Sequence, residues 1–392
     1  MRRDQNQESY EVSSPSKSGR PTIAVRDSRR AHLVDFTLGQ KLREQRHDQN
    51  GFDTIRLIAA TCVLLSHSYP IATGSNDQEP LTVLTKGQAT LGGLSVGVFF
   101  VISGLLIAKS FEVSTSTSSF ARKRALRIMP ALIVLCLVLV LMLGPWATTL
   151  PMSAYLHGAW RFLGHALFVP VGFDLPGVFK NHPMDAVDGS LWSLKFEVVC
   201  YVGLGILMAL RRGRTALLVS VWACSFIVSR LLNAGEGEAG VYFYLGTLAS
   251  LFRFFGAGMT LYVFRDRIRL NRDVAWIALL LTLASVATPL FMEAAATAGT
   301  YALIVFGYGC PIWFRKVTAR GDISYGTYLY AFPVQQIMFG LVGPSPWLIS
   351  VAALPVTLFL AVFSWNLIEQ PAMKLKKGLS LSEKGDAAFP TW

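Results

Sequence analysis

Residues 54–72 read TIRLIAATCVLLSHSYPIA, and within them Arg56 and His67 are the only basic side chains. About 20 helical residues cross the hydrocarbon core of a bilayer, so this stretch has the length and apolarity of one crossing. Eleven residues of α-helix advance about 16 Å and close on a whole number of turns. Arg56 and His67 therefore project from one face, the arginine at a rim and the imidazole deep in the membrane. Ionisable groups buried in lipid are costly and mark functional sites by default. The pair points to a site that holds an anionic ligand at one end and does proton chemistry at the other.

The rest of the 392-residue chain has the same character, with 52% hydrophobic residues, 15% charged residues and a mean hydropathy of +0.44. That composition excludes an ordinary soluble domain and predicts an all-α, polytopic membrane protein. The net charge of +12 is spread between apolar segments and no nucleic-acid motif accompanies it, so no nucleic-acid partner is expected. Cys62, Cys136, Cys200, Cys224 and Cys310 all fall within apolar segments without metal-ligand spacing. They read as small buried hydrophobes, and no metal site is expected.

Three regions follow. Residues 1–50 are polar and basic and lack an apolar run, which predicts a disordered tail; residues 51–375 form the membrane domain, and 376–392 a second tail. Ten crossings are expected, near 54–72, 92–111, 128–147, 191–210, 215–233, 242–264, 274–292, 297–314, 323–342 and 346–367. Most of the 36 Lys and Arg fall in alternate connections and in the two tails, which places both termini in the cytoplasm. Between the third and fourth spans, His157, Arg161 and His165 recur every four residues, as on one stripe of a short outer interfacial or re-entrant helix. A binding role for that stripe is the lesser reading.

Span four begins GSLWSLKFEVVCY over 189–201, and Ser193, Glu197 and Tyr201 share one side at intervals of four. Counted from the outer surface, Glu197 lies at the depth of His67. A carboxylate there must be paired, protonated or open to a water-filled cavity. Paired with His67 it would fix the tautomer of a general base; paired with Arg253, in the middle of the sixth span, it would be a structural ion pair. The cluster ARKRALRIMP at 121–130 is explained by positive-inside anchoring. Yet Arg124 and Arg127 lie three apart on one helix face, with Pro130 tolerated in an opening turn, and two guanidinium forks suit phosphate groups. The small residues of GGLSVGVFFVISG at 92–104 allow close helix packing or leave room for a slender ligand.

Coenzyme A joins these features, with phosphates at one end and a thioester on an arm of order 15–20 Å. Its phosphates would rest on Arg56, Arg124 and Arg127, and its thioester would approach His67 and Glu197.

These residues resemble the membrane-bound acyltransferase type 3 family. The Arg56-x10-His67 spacing is similar to its first-helix signature, VFFVISGLLI at 98–107 to its second-helix motif, and Arg124-Ala-Leu-Arg127 to its Arg-x-x-Arg motif. Residues 189–201, SYGTYLY at 324–330 and WNLIEQP at 365–371 resemble its later motifs, so the resemblance covers roughly 50–375. It implies an O-acyltransferase of the bacterial inner membrane that moves acetyl from acetyl-CoA to a surface or secreted glycan or its lipid-linked precursor. It further implies that His67 is the catalytic histidine and that Arg56, Arg124 and Arg127 bind the donor, with no permanently bound cofactor. One departure is Ala331, where many members carry a second histidine, so a two-histidine relay is not expected here. The rival class is a transporter or flippase of a lipid-linked sugar or anionic metabolite, which the same basic mouth would suit.

Overall fold

The computed structural model describes residues 36–44, 50–114, 116–209, 214–233 and 240–375. Among these residues the chain is helical, with isolated bridges at Thr37–Arg269 and Thr148–Val178 as its only strand-like pairing. The long helices are α1 (Phe52–Thr73), α2 (Leu91–Glu112), α3 (Thr117–Val138), α4 (Leu194–Ala209) and α5 (Arg214–Asn233), followed by α6 (Val241–Val263), α7 (Arg272–Ala284), α8 (Thr300–Gly309), α9 (Ser324–Val342) and α10 (Pro346–Ser364). Their starts are written in capping side chains, which satisfy otherwise orphaned backbone donors. Thr90 Oγ1 accepts from Gly93 N at 2.8 Å, Ser116 caps α3, and Asn271 Oδ1 accepts from Asp273 N and Val274 N. At its far end α1 stops at Gly74, whose φ of +78° lets its N–H return to the Pro70 carbonyl.

Among the described residues, six helical segments are long and apolar enough to cross a membrane: 52–73, 91–112, 117–147, 189–207, 215–232 and 346–375. The other four expected crossings coincide with α6 to α9. Of these, α7 has 13 residues and α8 has 10, while α6 carries Arg253 and α9 carries Gln335 and Gln336. Outward faces of α5, α7 and α10 present Ile227, Leu231, Trp276, Leu280, Val351 and Phe359, an apolar girdle suited to lipid.

Side by side, α5, α6, α2, α1, α9 and α10 pack in that order, and α3 and α4 close the bundle against α2, α9 and the turn after α10. Glycine makes the tightest of these contacts possible. A Cβ on Gly104 would run into the Phe255 carbonyl and one on Gly258 into the Val101 carbonyl, so α2 and α6 meet backbone to backbone. Backbone cannot give way as a side chain can. Gly258→Ala is therefore expected to destabilise the protein by roughly 1–3 kcal/mol, as overpacking does. Thermal unfolding in detergent reads this directly, and an unchanged melting temperature would refute the close approach.

Three expectations are corrected by the helices themselves. Ser116 starts α3 well before the expected boundary, so Pro130 lies inside a helix rather than in its opening turn. There it removes one backbone donor to the preceding turn. The outer connection does contain a helix, Met152–Ala159, but it tightens into a 3-10 helix over Trp160–Leu167. Three residues per turn rotate the four-residue stripe apart: His157 and Arg161 are exposed, whereas His165 is buried on Phe173 and bonded to the Gly172 carbonyl at 3.0 Å. The connection is fastened to α3 by Tyr155, whose hydroxyl donates to the Val140 carbonyl within a π turn at 2.6 Å. Finally, the region read as an N-terminal tail contains a docked helix, Leu38–Glu44, with Leu38 and Leu42 buried. Residues 1–35 and 45–49 of that tail, the basic stretch 211–213 and residues 376–392 lie outside the described residues.

Candidate functional site

A cavity of about 1060 Å³ opens between α1, α2, α3, α4 and α9. Arg56, Arg124, Arg127, Ser193, Glu197 and Tyr201 all line it. The end of the bundle that holds the three arginines is termed the basic face here. Of the small residues of α2, Gly92, Gly97 and Gly104 pack against Ser66, Phe254 and Phe255, while Ser103 lines the cavity beside Val96 and Phe99.

The arginines are not equivalent. Asp322, in the turn before α9, lies 3.6 Å from Arg56 and forms a close ion pair with Arg127, which also reaches Glu369 at 3.5 Å. Asp53 lies 3.7 Å from Arg56 on the preceding turn of α1. Asp322 is itself fixed by Ser324, accepting from its N–H at 3.2 Å and its hydroxyl at 2.5 Å. Arg56 and Arg127 therefore belong to a chain of charge that ties α1, α3, α9 and the end of α10 together. Arg124 differs: its buried Nε has no hydrogen-bond partner among the described residues, although the side chain lines the cavity. A buried guanidinium N–H without an acceptor carries a desolvation cost that an anionic group would offset.

Burial raises the Asp322 carboxyl, but Arg127 and Arg56 beside it, with the Ser324 bonds, bring it below its ordinary value of 3.8. A depressed carboxylate stabilises the fold above its unfolded-state value, and that contribution is lost as pH falls through the folded-state value. The melting temperature is thus expected to drop as pH descends below about 4. Asp322→Asn should be less stable at neutral pH and show a shallower acid limb. Superimposable acid limbs for the two proteins would count against this role.

Glu197 accepts from Ser103 Oγ at 3.0 Å and from the Tyr201 hydroxyl one turn along the same side of α4. Its expected partner His67 is not reached. The two differ in depth: Ser66 packs on Gly92, whereas Glu197 bonds to Ser103, eleven residues or about 16 Å further along α2. The reason lies in the connection before α4. The 3-10 turn Gly189–Ser193 does not begin at the surface, because Gly189 packs on Phe332, ten residues or about 15 Å short of the end of α9. The segment between α3 and α4 descends into the bundle before the helix starts, which carries Glu197 toward the basic face.

His67 packs edge-on against Phe332, with ring centroids 5.2 Å apart, and its buried Nδ1 has no hydrogen-bond partner among the described residues. It does not line the cavity, which ends one layer short of it. That layer is Tyr328, whose hydroxyl meets Ser193 Oγ at 2.7 Å and the Ser190 carbonyl at 2.5 Å, with Phe99 edge-on at 5.9 Å. Phe332 is one helical turn beyond Tyr328. Asp188, just before the Gly189 that packs on Phe332, caps the 3-10 turn through Ser190 and leaves Oδ2 without a partner among the described residues. Beyond Phe332, Gln336 Oε1 holds His182 Nδ1 at 2.8 Å, so the connection between α3 and α4 supplies an imidazole over that stretch of α9. Ala331 is buried in a small cluster with Leu64.

Arg253 lies outside the cavity. It reaches Glu293 at 3.4 Å, and Glu293 also accepts from Arg230 Nε at 3.0 Å. The structural ion pair expected between Arg253 and Glu197 is not formed; Arg253 pairs with Glu293 instead.

Asp53, Asp322, Glu369, Asp188, Tyr328 and His182 were not singled out by sequence reasoning. Two of them carried a signal. Tyr328 and Glu369 fall within SYGTYLY and WNLIEQP, whose recurrence in order marks them without saying what they touch.

A family model described as an acyltransferase domain matches residues 49–366. An O-acetyl transferase of Shigella phage Sf6 is 32% identical over 338 residues, covering 83% of this chain and 96% of that protein. Nodulation protein 10 of Rhizobium leguminosarum bv. viciae is 28% identical over 357 residues, covering 84% of this chain and 95% of that protein. No solved structure matches.

Proposed function

The chain belongs to the membrane-bound acyltransferase type 3 family, and from that premise we propose that it moves an acetyl group from acetyl-CoA to a hydroxyl of a surface or secreted glycan or its lipid-linked precursor. In this reading the basic face is cytoplasmic, both termini lie on that side, α6 to α9 complete ten crossings, and the membrane is the bacterial inner membrane. The observation that carries the proposal is Arg124, whose buried Nε has no acceptor among the described residues, at the wall of a cavity that Glu197 and Tyr328 also line.

The phosphates of the donor would meet Arg124 at the basic end, within the field of Arg56 and Arg127. The arm would then rise past Ser103 and Glu197 toward Tyr328 and Ser193. From Arg56 to His67 is about 16 Å along α1, a distance the arm spans. Tyr328 and Phe99 must swing aside for the thioester to meet His67. His67 would take the proton of the acceptor hydroxyl while its oxygen attacks the thioester carbonyl; the C–S bond breaks and the thiolate of CoA leaves, to be protonated by solvent or the imidazolium. In the alternative course His67 itself takes the acetyl group and passes it to the acceptor. An imidazole nitrogen without a hydrogen-bond partner is free for either task.

Purified protein incubated with radiolabelled acetyl-CoA is expected to release CoA, and to transfer label when a glycan acceptor is supplied. Surface polysaccharide from cells lacking the gene should lose O-acetyl signals by NMR. Uptake of an anionic metabolite or lipid-linked sugar into proteoliposomes, with no thioester cleavage, would replace the enzyme by a transporter.

A further inference from the structure

The short helix Leu38–Glu44 lies outside the stretch matched by the family model, which starts at residue 49. It is nevertheless firmly seated. Leu38 N donates to the Ile268 carbonyl and Gly39 N to the Arg265 carbonyl, both at 2.8 Å, and Leu270 N returns a bond to the Phe36 carbonyl at 3.1 Å. Arg43 pairs with Asp266 at 2.8 Å, while Leu38 is 0% and Leu42 5% exposed. Residues 36–44 thus form a strap across the basic face.

The strap bears on the cavity at one point. Lys109, in the last turn of α2, donates from Nζ to the Leu42 carbonyl at 2.5 Å, and both residues line the cavity. Unlike Arg56 and Arg127, Lys109 has no carboxylate within ion-pair distance among the described residues. Glu112, on the same turn, is taken by Arg265 at 2.9 Å and by the Tyr262 hydroxyl at 2.8 Å. An ammonium carries three donors and a full charge. A neutral carbonyl uses one donor and offsets none of the charge, so a half-buried cation is held in place with two donors to spare. A solvated lysine at a helix end would ordinarily extend into water; this one is bent onto the strap and kept at the cavity wall.

We propose that Lys109, positioned by the strap 36–44, is a further phosphate-binding residue for the donor, a proposal that rests on the acyl-CoA reading above. Lys109 and Arg124 then form two separate anion contacts at one mouth, matching a ligand that carries more than one phosphate group. The strap makes the first of these contacts a property of this chain beyond its acyltransferase domain.

The test compares acetyl-CoA with S-acetylpantetheine, which keeps the thioester and lacks every phosphate, in a nonionic detergent free of anionic lipid. Lys109→Met is expected to raise the KM for acetyl-CoA about tenfold, the loss of one charge-assisted contact, and to leave S-acetylpantetheine turnover unchanged. Lys109→Arg should restore most of the affinity. Leu38→Asp with Leu42→Asp, which unseats the strap, should reproduce the Lys109→Met pattern. An unchanged KM for acetyl-CoA in Lys109→Met, or an equal loss for both thioesters, overturns the proposal. Wild-type protein that cleaves S-acetylpantetheine but shows no preference for acetyl-CoA overturns the donor reading itself.

Discussion

His67→Ala is expected to lower turnover of acetyl-CoA by roughly 10²–10⁴-fold, the usual contribution of a positioned acid–base group, while donor affinity stays within about twofold of wild type by calorimetric titration. The separation follows from the layering of the site. Arg124 and Lys109 lie at the basic face, and His67 lies three helical turns away, beyond Tyr328. Removing the imidazole at one end should not be felt by the phosphates at the other. Because Glu197 bonds to Ser103 and Tyr201 and does not touch His67, Glu197→Gln should cost much less in turnover than His67→Ala. A Glu197→Gln variant as inactive as His67→Ala would mean that the two side chains meet during the reaction, and the static layering would be the wrong guide. Donor binding lost together with turnover in His67→Ala would equally remove the division between holding and reacting.

The sequence made some of this legible and concealed the rest for identifiable reasons. Among the described residues hydropathy located the long helices, and six of them have the length and apolarity of a crossing, because lipid-facing segments must be apolar whatever they pack against. Periodicity correctly placed Ser193, Glu197 and Tyr201 on one cavity-facing side, since i, i+4 neighbours are fixed by helix geometry. Depth was the failure. It was counted from an assumed surface, and the segment before α4 descends to Phe332 before the helix begins. Counter-ions were the other failure. Asp322 lies in a turn 266 positions after Arg56, and Glu369 in a π turn after α10; only the tertiary fold brings them to the arginines. A basic motif read without its carboxylates looks like three equal phosphate ligands, when in the fold just one of them, Arg124, is left with a buried donor unused among the described residues.

That inequality yields the second large effect. Arg127→Ala should act on stability first, because it strips Asp322, 9% exposed, and Glu369, 2% exposed, of their shared cation. Breaking a buried ion pair by deleting one partner costs roughly 3–5 kcal/mol, since the remaining charge is left uncompensated. Arg124→Ala leaves no carboxylate behind in this way. It should unfold near the wild-type temperature and instead weaken acetyl-CoA binding, by the roughly 1.5–3 kcal/mol of a charged hydrogen bond, or about 10- to 150-fold. Thermal unfolding and calorimetric titration of the two purified variants separate these outcomes. Were Arg127→Ala as stable as wild type, or Arg124→Ala as avid, the assignment of one arginine to the scaffold and the other to the ligand would be wrong. A compensating variant tightens the case. If the cost of Arg127→Met arises from stranded carboxylates, then adding Asp322→Asn and Glu369→Gln should recover much of the lost stability, as neutral replacement of whole buried ion clusters does. Donor affinity in that triple variant would then report what Arg127 itself gives to the phosphates, free of its effect on the fold.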